Sequence, residues 1–339
     1  MFFGFLNTKD SEGAILAHST RLEGLYISKG TKLNKEHIKN LKSKGIKRII
    51  CARLDDCDVD ENAAAKFLSE KIHHSSIRFS RASTGRVNII SNTNGLIRYN
   101  KNKVVKFNLV DEGVTLALLK QNTLVKKGQL IGTLKIIPYS IHIDVLNIIN
   151  NKVYGKKPLI IIKPIRKKQF FLIQTKLSGT KDSVIESTKK ATLKRIQDLN
   201  CKLIGSSTCN HEKESIEEKL KDSLGVSADI ILISCASAVS DRRDILPSSI
   251  INSGGHIDHF GLPVDPGNLL LLGCIGNVQI VGLPGCARSP SLNGFDFIIR
   301  MLLADIKISN EEIAELSVGG LLKEVKPRPL PRKSINSVK

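Results

Sequence analysis

The sequence predicts an α/β protein whose C-terminal half is built on a mostly parallel sheet. Three observations lead there. From residue 159 onward, apolar runs of strand length alternate with helical patterns, which is how βαβ units and a parallel sheet read in sequence. Two Pro-Gly turns touch such runs. One is Pro263-Val264-Asp265-Pro266-Gly267-Asn268, before four leucines; the other is Gly282-Leu283-Pro284-Gly285-Cys286-Ala287-Arg288-Ser289-Pro290, after Val278-Gln279-Ile280-Val281. Finally, no apolar run is long enough to cross a bilayer.

The elements follow in order. Residues 36–44 read as a short helix with Ile38 and Leu41 three apart, ended by Gly45, and 46–54 as a strand. A second helix is predicted over 58–74, opened by acidic residues, with Ala63, Phe67 and Leu68 on one face. Between 76 and 138, apolar pairs alternate with Gly, Asn and Lys, predicting strands joined by tight turns. A helix over 139–150 and a linker at 151–157 close the first half.

In the second half, strands are predicted at 170–175, 202–207, 229–234 and 255–260, and near Leu269 and Val278. Helices are predicted at 182–199, 212–224, 247–252 and 290–304. Pro247 suits a first helical position, and Ser289-Pro290 reads as an N-cap and first-turn pair. Phe295, Ile298, Ile299 and Leu302 give the last helix an apolar stripe. The expected divisions are an N-terminal segment 1–75, a β-rich region with linker helix 76–157, an α/β domain 158–306, and a C-terminal helix with a Pro- and Lys-rich tail 307–339.

Composition narrows the class. At 339 residues, 41% hydrophobic and 25% charged, this is an ordinary globular composition. The start, MFFGFLNTKDSEG, is a poor signal peptide, so the expected location is cytoplasmic. The net charge of +20 fits an anionic partner or, alternatively, lysines spread over solvated faces. With 4% aromatics and no Trp, a single-strand stacking surface is poorly supplied, and nucleic acid is not the expected partner. The seven cysteines include no Cys-x-x-Cys pair, so zinc-ribbon spacing is absent. His256 and His259, three apart in a predicted strand, would point to opposite faces rather than share a metal.

Three loops at predicted strand ends carry the candidate chemistry. Ligands of parallel sheets sit at the carboxyl ends of strands. The first loop, Thr175-Lys176-Leu177-Ser178-Gly179-Thr180-Lys181-Asp182-Ser183, offers hydroxyls and lysines to an anion, while Thr180 or Asp182 would cap the next helix. The second holds Ser237 and Ser240-Asp241-Arg242-Arg243-Asp244. Its acids and arginines form either a self-neutralising surface cluster or a phosphate contact with Asp244 near a metal or a proton in transfer. In the third, backbone N–H groups around Gly285 and the forked guanidinium of Arg288 suit a phosphate beside a helix start.

These loops resemble, in order, those of the molybdopterin-binding domain of molybdenum-cofactor biosynthesis enzymes, a family of adenylyltransferases and molybdotransferases. That family carries Thr-Gly-Asp-Glu-Leu, Ser-Gly-Gly-x-Ser-x-Gly-x-x-Asp, Pro-Gly-Lys-Pro and Gly-Leu-Pro-Gly-Asn-Pro. Glu12-Gly13-Ala14-Ile15-Leu16-Ala17 and Lys29-Gly30-Thr31 resemble the opening of a molybdotransferase. The runs VSDRRDILP, GHIDHFGLPVDPGNLLLLG and GLPGCARSPSLNGFD are similar to the subgroup in which this domain precedes a cytidylyltransferase, here without that second domain. There are departures. Thr175-Lys176-Leu177 lacks the acids of the first loop, Asn268 replaces a Lys, and Cys286-Ala287-Arg288 replaces Asn-Pro and the next small residue.

The resemblance implies a three-layer αβα molybdopterin-binding domain preceded by a smaller α+β and β-rich region. It implies molybdopterin as ligand or substrate, with Mg as a candidate ion. The implied binding residues are Thr175, Ser237, Asp241, Arg242, Arg243, Asp265, Pro266, Gly267, Asn268, Gly282, Pro284, Gly285, Arg288 and Ser289, with Asp244 as the catalytic candidate. Two roles are implied: a transferase acting in molybdate insertion or nucleotide transfer, and a non-catalytic module delivering molybdopterin. The implied partners are a separate cytidylyltransferase or a molybdoenzyme maturation partner, in a homo-oligomer.

Overall fold

The computed structural model describes residues 1–155 and 157–322. The expected Pro- and Lys-rich tail lies outside the described residues, as does Lys156 of the expected linker. The chain divides into two units, Met1–Pro164 and Ile165 onward.

In the first unit, Phe2–Asn7 and Ile15–Leu16 flank Arg48–Arg53 in one antiparallel sheet. A second sheet runs Val114–Leu118, Leu130–Ile136, Arg86–Ser91, Ile77–Phe79, all antiparallel. The helix expected over 58–74 is a strand, Asp58–Asp60, then a helix, Glu61–Lys71, capped by the Asp60 carboxylate. Its inward face is Ala64, Ala65 and Leu68, not Ala63, which is exposed. That helix packs with the β-rich residues in one hydrophobic cluster, so no core boundary falls at residue 75. Lys101–Asn108 forms a helix where strands were expected, because Asn100 caps it by accepting from the Lys103 N–H. Ser140–His142 is a strand and the following helix is Ile143–Lys152. Ile160–Pro164 pairs antiparallel with Gly95–Tyr99, so this strand belongs to the first unit rather than to the α/β domain.

The second unit is the α/β domain, and its elements are labelled here in chain order. They are β1 (Gln169–Lys176), α1 (Asp182–Asp198), β2 (Lys202–Asn210), α2 (Lys213–Leu224), β3 (Ile230–Ser234) and α3 (Ile245–Asn252). Then come β4 (His256–Phe260), β5 (Leu271–Ile275), β6 (Val278–Leu283), α4 (Gly294–Leu303) and α5 (Asn310–Glu315). The sheet order is β2-β1-β3-β6-β5-β4. The first four strands run parallel, and β5 and β4 are antiparallel additions at one edge.

Alternation along the strands makes the three layers. Phe170 and Leu172 of β1, with Ile230 and Leu232 of β3, share a cluster with Ile196 of α1 and Phe295, Ile298, Ile299 and Leu302 of α4. Ile173, Ile231 and Ile233 lie in the other cluster, with Ile216 and Leu220 of α2 and Leu246 and Ile250 of α3. Successive side chains point to opposite faces, so each strand feeds both cores. A fully buried Ile or Leu contributes about 1.5–3 kcal/mol, and β3 is buried along its whole length.

Two helix starts differ from expectation. Helix α3 begins at Ile245 with Asp244 as N-cap, which leaves Pro247 inside the first turn, where its missing N–H goes unused. Helix α4 begins at Gly294, not at Pro290. Asn293 caps it and Asp296 returns a carboxylate to the Asn293 N–H, while Gly285–Arg288 forms a separate 3-10 turn. The reciprocal capping pair outcompetes the weaker Ser-Pro signal.

Gly267 has φ of 135°, and a Cβ there would lie 2.3 Å from the Gly294 nitrogen. Gly267→Ala is therefore expected to destabilise this unit by about 2 kcal/mol or more, read as a lowered urea midpoint. Gly285→Ala, which meets no atom within 4 Å, is the matched control and should shift stability by no more than about 0.5 kcal/mol.

Candidate functional site

A cavity of about 270 Å³ opens at the carboxyl ends of the parallel strands. Gln174 and Thr175 end β1, Ser234 and Ala236 follow from β3, and Arg288 reaches in from the turn after β6. The loop Gly179-Thr180-Lys181 and the first turns of α1 close the other side.

Each wall has a local cause. Thr175 is buried, and its hydroxyl accepts from the Ala236 N–H at 2.8 Å and lies 2.9 Å from Nδ1 of His211. It therefore ties β1 to the loop after β3. Gln174 is also buried. Its Nε2 donates to the Ile185 carbonyl at 3.0 Å, and its Oε1 has no partner. A buried acceptor left unpaired costs about 1–3 kcal/mol, so the side chain is under pressure to find a donor. The position before α1 is Lys181, which supplies no side-chain acceptor to the helix N–H groups. Neither Thr180 nor Asp182 caps that helix. The Thr180 hydroxyl accepts instead from the Leu177 N–H, and Asp182 is the first helical residue.

Arg288 is held by its own donor geometry. One Nη donates to the Cys235 carbonyl at 2.7 Å, and no carboxylate pairs with it among the described residues. The loop carrying it is fixed by Arg195 of α1, which is buried. Its Nε donates to Asp296 at 3.0 Å, Nη1 to the Ala287 carbonyl, and Nη2 to the carbonyls of Ser289 and Ser291. Sequence reasoning missed Arg195. The signal was present, since Thr188, Ala191, Thr192 and Arg195 share the inward stripe of α1 at three- and four-residue spacing.

The cavity gathers some expected residues and leaves out others. Thr175 and Arg288 line it, whereas Ser237 and Ser289 are exposed beside lining elements. Arg243 is tied to Asp241 at 2.8 Å, and this pairing holds the Asp241 carboxyl down at about 2. The arginine-acid cluster thus neutralises itself at these two positions, the blander of the two readings. Among the described residues, Arg242 reaches the Ile257 carbonyl, at 3.5 Å. Asp244 accepts from the N–H groups of Ser240 and Ile245 and caps α3.

The other Pro-Gly turn lies apart from the cavity lining. Asp265-Pro266 is a cis peptide, and Asp265 pairs by its backbone with Gly320 and Leu322. The Pro266 carbonyl accepts from Gly294, the Asn268 carbonyl accepts from Leu262, and Gly267 packs on the start of α4. Gly282 is buried against Leu246 and Leu271, and Pro284 precedes the 3-10 turn that Gly285 opens.

The lining holds two cations, Lys181 and Arg288, and no carboxylate. The arrangement suits an anion with hydrogen-bonding edges. It does not suit Mg, which is ordinarily held by one or two carboxylates. Burial pushes the Cys235 thiol up to about 12, so this cysteine beside the site is no nucleophile at neutral pH.

These features define an α/β domain with a cationic, carboxylate-free cavity at the carboxyl ends of its strands. No protein-family model matches the chain, and no curated protein matches it. Among solved structures it is similar to a molybdopterin biosynthesis MoeA protein from Pyrococcus horikosii, at 14% identity and a TM-score of 0.33, over 90% of this chain and 75% of that one. It is also similar to a tungsten cofactor synthesizing protein MoaB from Pyrococcus furiosus, at 13% identity and a TM-score of 0.28, over 45% of this chain and 97% of that one. These low-scoring likenesses assign nothing to this chain. No helix among the described residues is long and apolar enough to cross a membrane.

Arg195→Met should cost about 3–5 kcal/mol in urea unfolding, because it strands the buried Asp296 carboxylate and frees three loop carbonyls. Brief iodoacetamide treatment of the native protein at pH 8 should alkylate exposed Cys57 and spare Cys235, read by peptide mass spectrometry.

Proposed function

We propose that this chain acts in molybdenum-cofactor biosynthesis and binds molybdopterin, a phosphorylated pterin, in the cavity at the ends of β1, β3 and β6. One observation carries the reading: Arg288 and Lys181 meet in a carboxylate-free cavity beside a long helix with no side-chain cap. Arg288 and the first N–H groups of α1 would take the phosphate. At about 270 Å³ the cavity is just below the ~300–1,000 Å³ of ordinary ligand sites, so it would hold part of the ligand and leave the rest at the mouth.

The resemblance in the loop motifs supports the pterin over other anions. As an enzyme, the chain would act in molybdate insertion or nucleotide transfer, with Asp244 as the acid or base. The alternative is a non-catalytic module that binds molybdopterin and hands it to a separate cytidylyltransferase or another maturation partner. A specific observation favours this second role. Asp244 already accepts two backbone N–H bonds and does not line the cavity, whose lining supplies no carboxylate.

Calorimetry with molybdopterin tests the site. Arg288→Ala should weaken binding about tenfold or more, the loss of one hydrogen bond to a charged group. Arg243→Ala, whose guanidinium is occupied by Asp241, should change it less than twofold. No binding, or binding indifferent to Arg288→Ala, sinks the proposal. A turnover assay with molybdate and nucleotide separates the two roles. Product formation rules out the delivery module, and tight binding without product under any metal rules out the enzyme.

A further inference from the structure

We propose that His256, Asp258 and Cys274 form a zinc site at the antiparallel edge of the sheet, separate from the cavity. The chain leaves α3 through Gly254, at φ of 81°, and the Gly255 N–H donates back to the Ile250 carbonyl. A Cβ on Gly255 would lie 2.4 Å from the Cys274 carbonyl oxygen, so the turn brings the backbone of β4 directly onto β5. His256 then stands opposite Cys274 in the ladder. Asp258 lies two residues on, where the register shifts between Ile257 and His259. Strand alternation returns it to the same face as His256.

The three donor atoms lie within 4.8 Å of one another. His256 Nε2 is 2.9 Å from Asp258 Oδ1 and 3.4 Å from Cys274 Sγ. Tetrahedral zinc, with bonds of about 2.0–2.3 Å, holds its ligand atoms roughly 3.3–3.6 Å apart. The two histidine distances are close to these values, and the third lies within 4.8 Å, so the side chains need only a modest adjustment to take the ion. Nδ1 of His256 is also 3.5 Å from the sulfur, so the ring must turn to aim one nitrogen at a shared metal. The ring is exposed and its outer torsion is broad, so this turn costs little.

The donor set selects the metal. A soft thiolate and a borderline imidazole beside one carboxylate suit Zn²⁺ and do not suit Mg²⁺ or Ca²⁺, which take all-oxygen sets. Binding displaces the thiol proton, and Zn²⁺ then takes one nitrogen, one sulfur and one oxygen from the protein. The fourth position is left for water or an exogenous ligand, as in open rather than closed zinc sites. Because β4 is the edge strand, the ion would also clip it to β5. His259 takes no part, since its Nδ1 lies 3.2 Å from Asn310 Oδ1.

Titration of the full chain with Co²⁺ and then Zn²⁺ tests the site. The expected result is one equivalent of Co²⁺, with thiolate-to-metal charge transfer and the intense visible bands of four-coordinate cobalt, displaced by Zn²⁺. Cys274→Ser should abolish the charge-transfer band and weaken Zn²⁺ binding at least tenfold. His256→Asn, at an exposed position that tolerates the change, should weaken it similarly, whatever the fate of the cysteine variant. His259→Asn and Cys57→Ser should leave both readouts unchanged. Absence of a stoichiometric site, a charge-transfer band that survives Cys274→Ser, affinity unmoved by His256→Asn, or loss of the band in Cys57→Ser each overturns the proposal.

Discussion

The ligand end of the α/β unit depends on one buried guanidinium. Arg195 gives up its hydration and recovers it through Asp296 and the carbonyls of Ala287, Ser289 and Ser291. Placing a charge in the interior costs several kcal/mol unless its donors are met, and here three of its nitrogens are engaged. The exchange fixes the segment from Ala287 to Ser291 as a platform. Asp296 completes the arrangement by capping α4 with its other oxygen, so one carboxylate serves both the arginine and the helix start. Arg288 can then reach the Cys235 carbonyl and face the cavity, because its backbone is already held.

The same logic sorts the other cations. A net charge of +20 says that anions are attracted somewhere, but not where. Arg243 is occupied by Asp241 in full solvent, where such a pair contributes little to stability. Arg195 is occupied by structure. Lys181 and Arg288 line the cavity at the carboxyl ends of the strands with no acid opposite them, as Lys106 and Lys152 do in a cavity of the first unit. What distinguishes an anion site from a basic surface is the missing counter-charge, and that is a property of packing rather than of composition.

This also explains what could be read from the sequence. Strand and helix order in the second unit was legible because each element carries a clean apolar period. The 170/172 and 171/173 alternation and the Phe295, Ile298, Ile299, Leu302 stripe are examples. Helix starts were less legible, since Pro247 and Ser289-Pro290 are weaker signals than the caps that win, Asp244 and Asn293. The first unit was harder still. Its helix Lys101–Asn108 has few buried side chains and is set by an asparagine cap, and Ile160–Pro164 joins Gly95–Tyr99 across a long stretch of sequence. Of the site, Thr175 and Arg288 were visible as loop residues. Gln174 was hidden inside an apolar strand, and Arg195 looked like one more surface charge on a helix.

The two Pro-Gly turns, alike in sequence, part ways for a physical reason. At the start of α4 the donors are already spent. The Gly294 N–H goes to the Pro266 carbonyl, the Phe295 N–H to the Asn293 side chain, and the Asp296 N–H to the Asn293 carbonyl. The Gly267 turn closes that end by lying on it, which only a residue without a Cβ can do. At the start of α1 the Val184 N–H goes to the Lys181 carbonyl, but no side chain caps the end. The Lys181 side chain cannot accept a hydrogen bond, and the neighbouring hydroxyl of Thr180 turns back to Leu177. A helix of seventeen residues is thus left with its positive end facing a cavity that also holds Arg288. One helix start is closed by the protein's own side chains and turn, and the other has no side-chain cap.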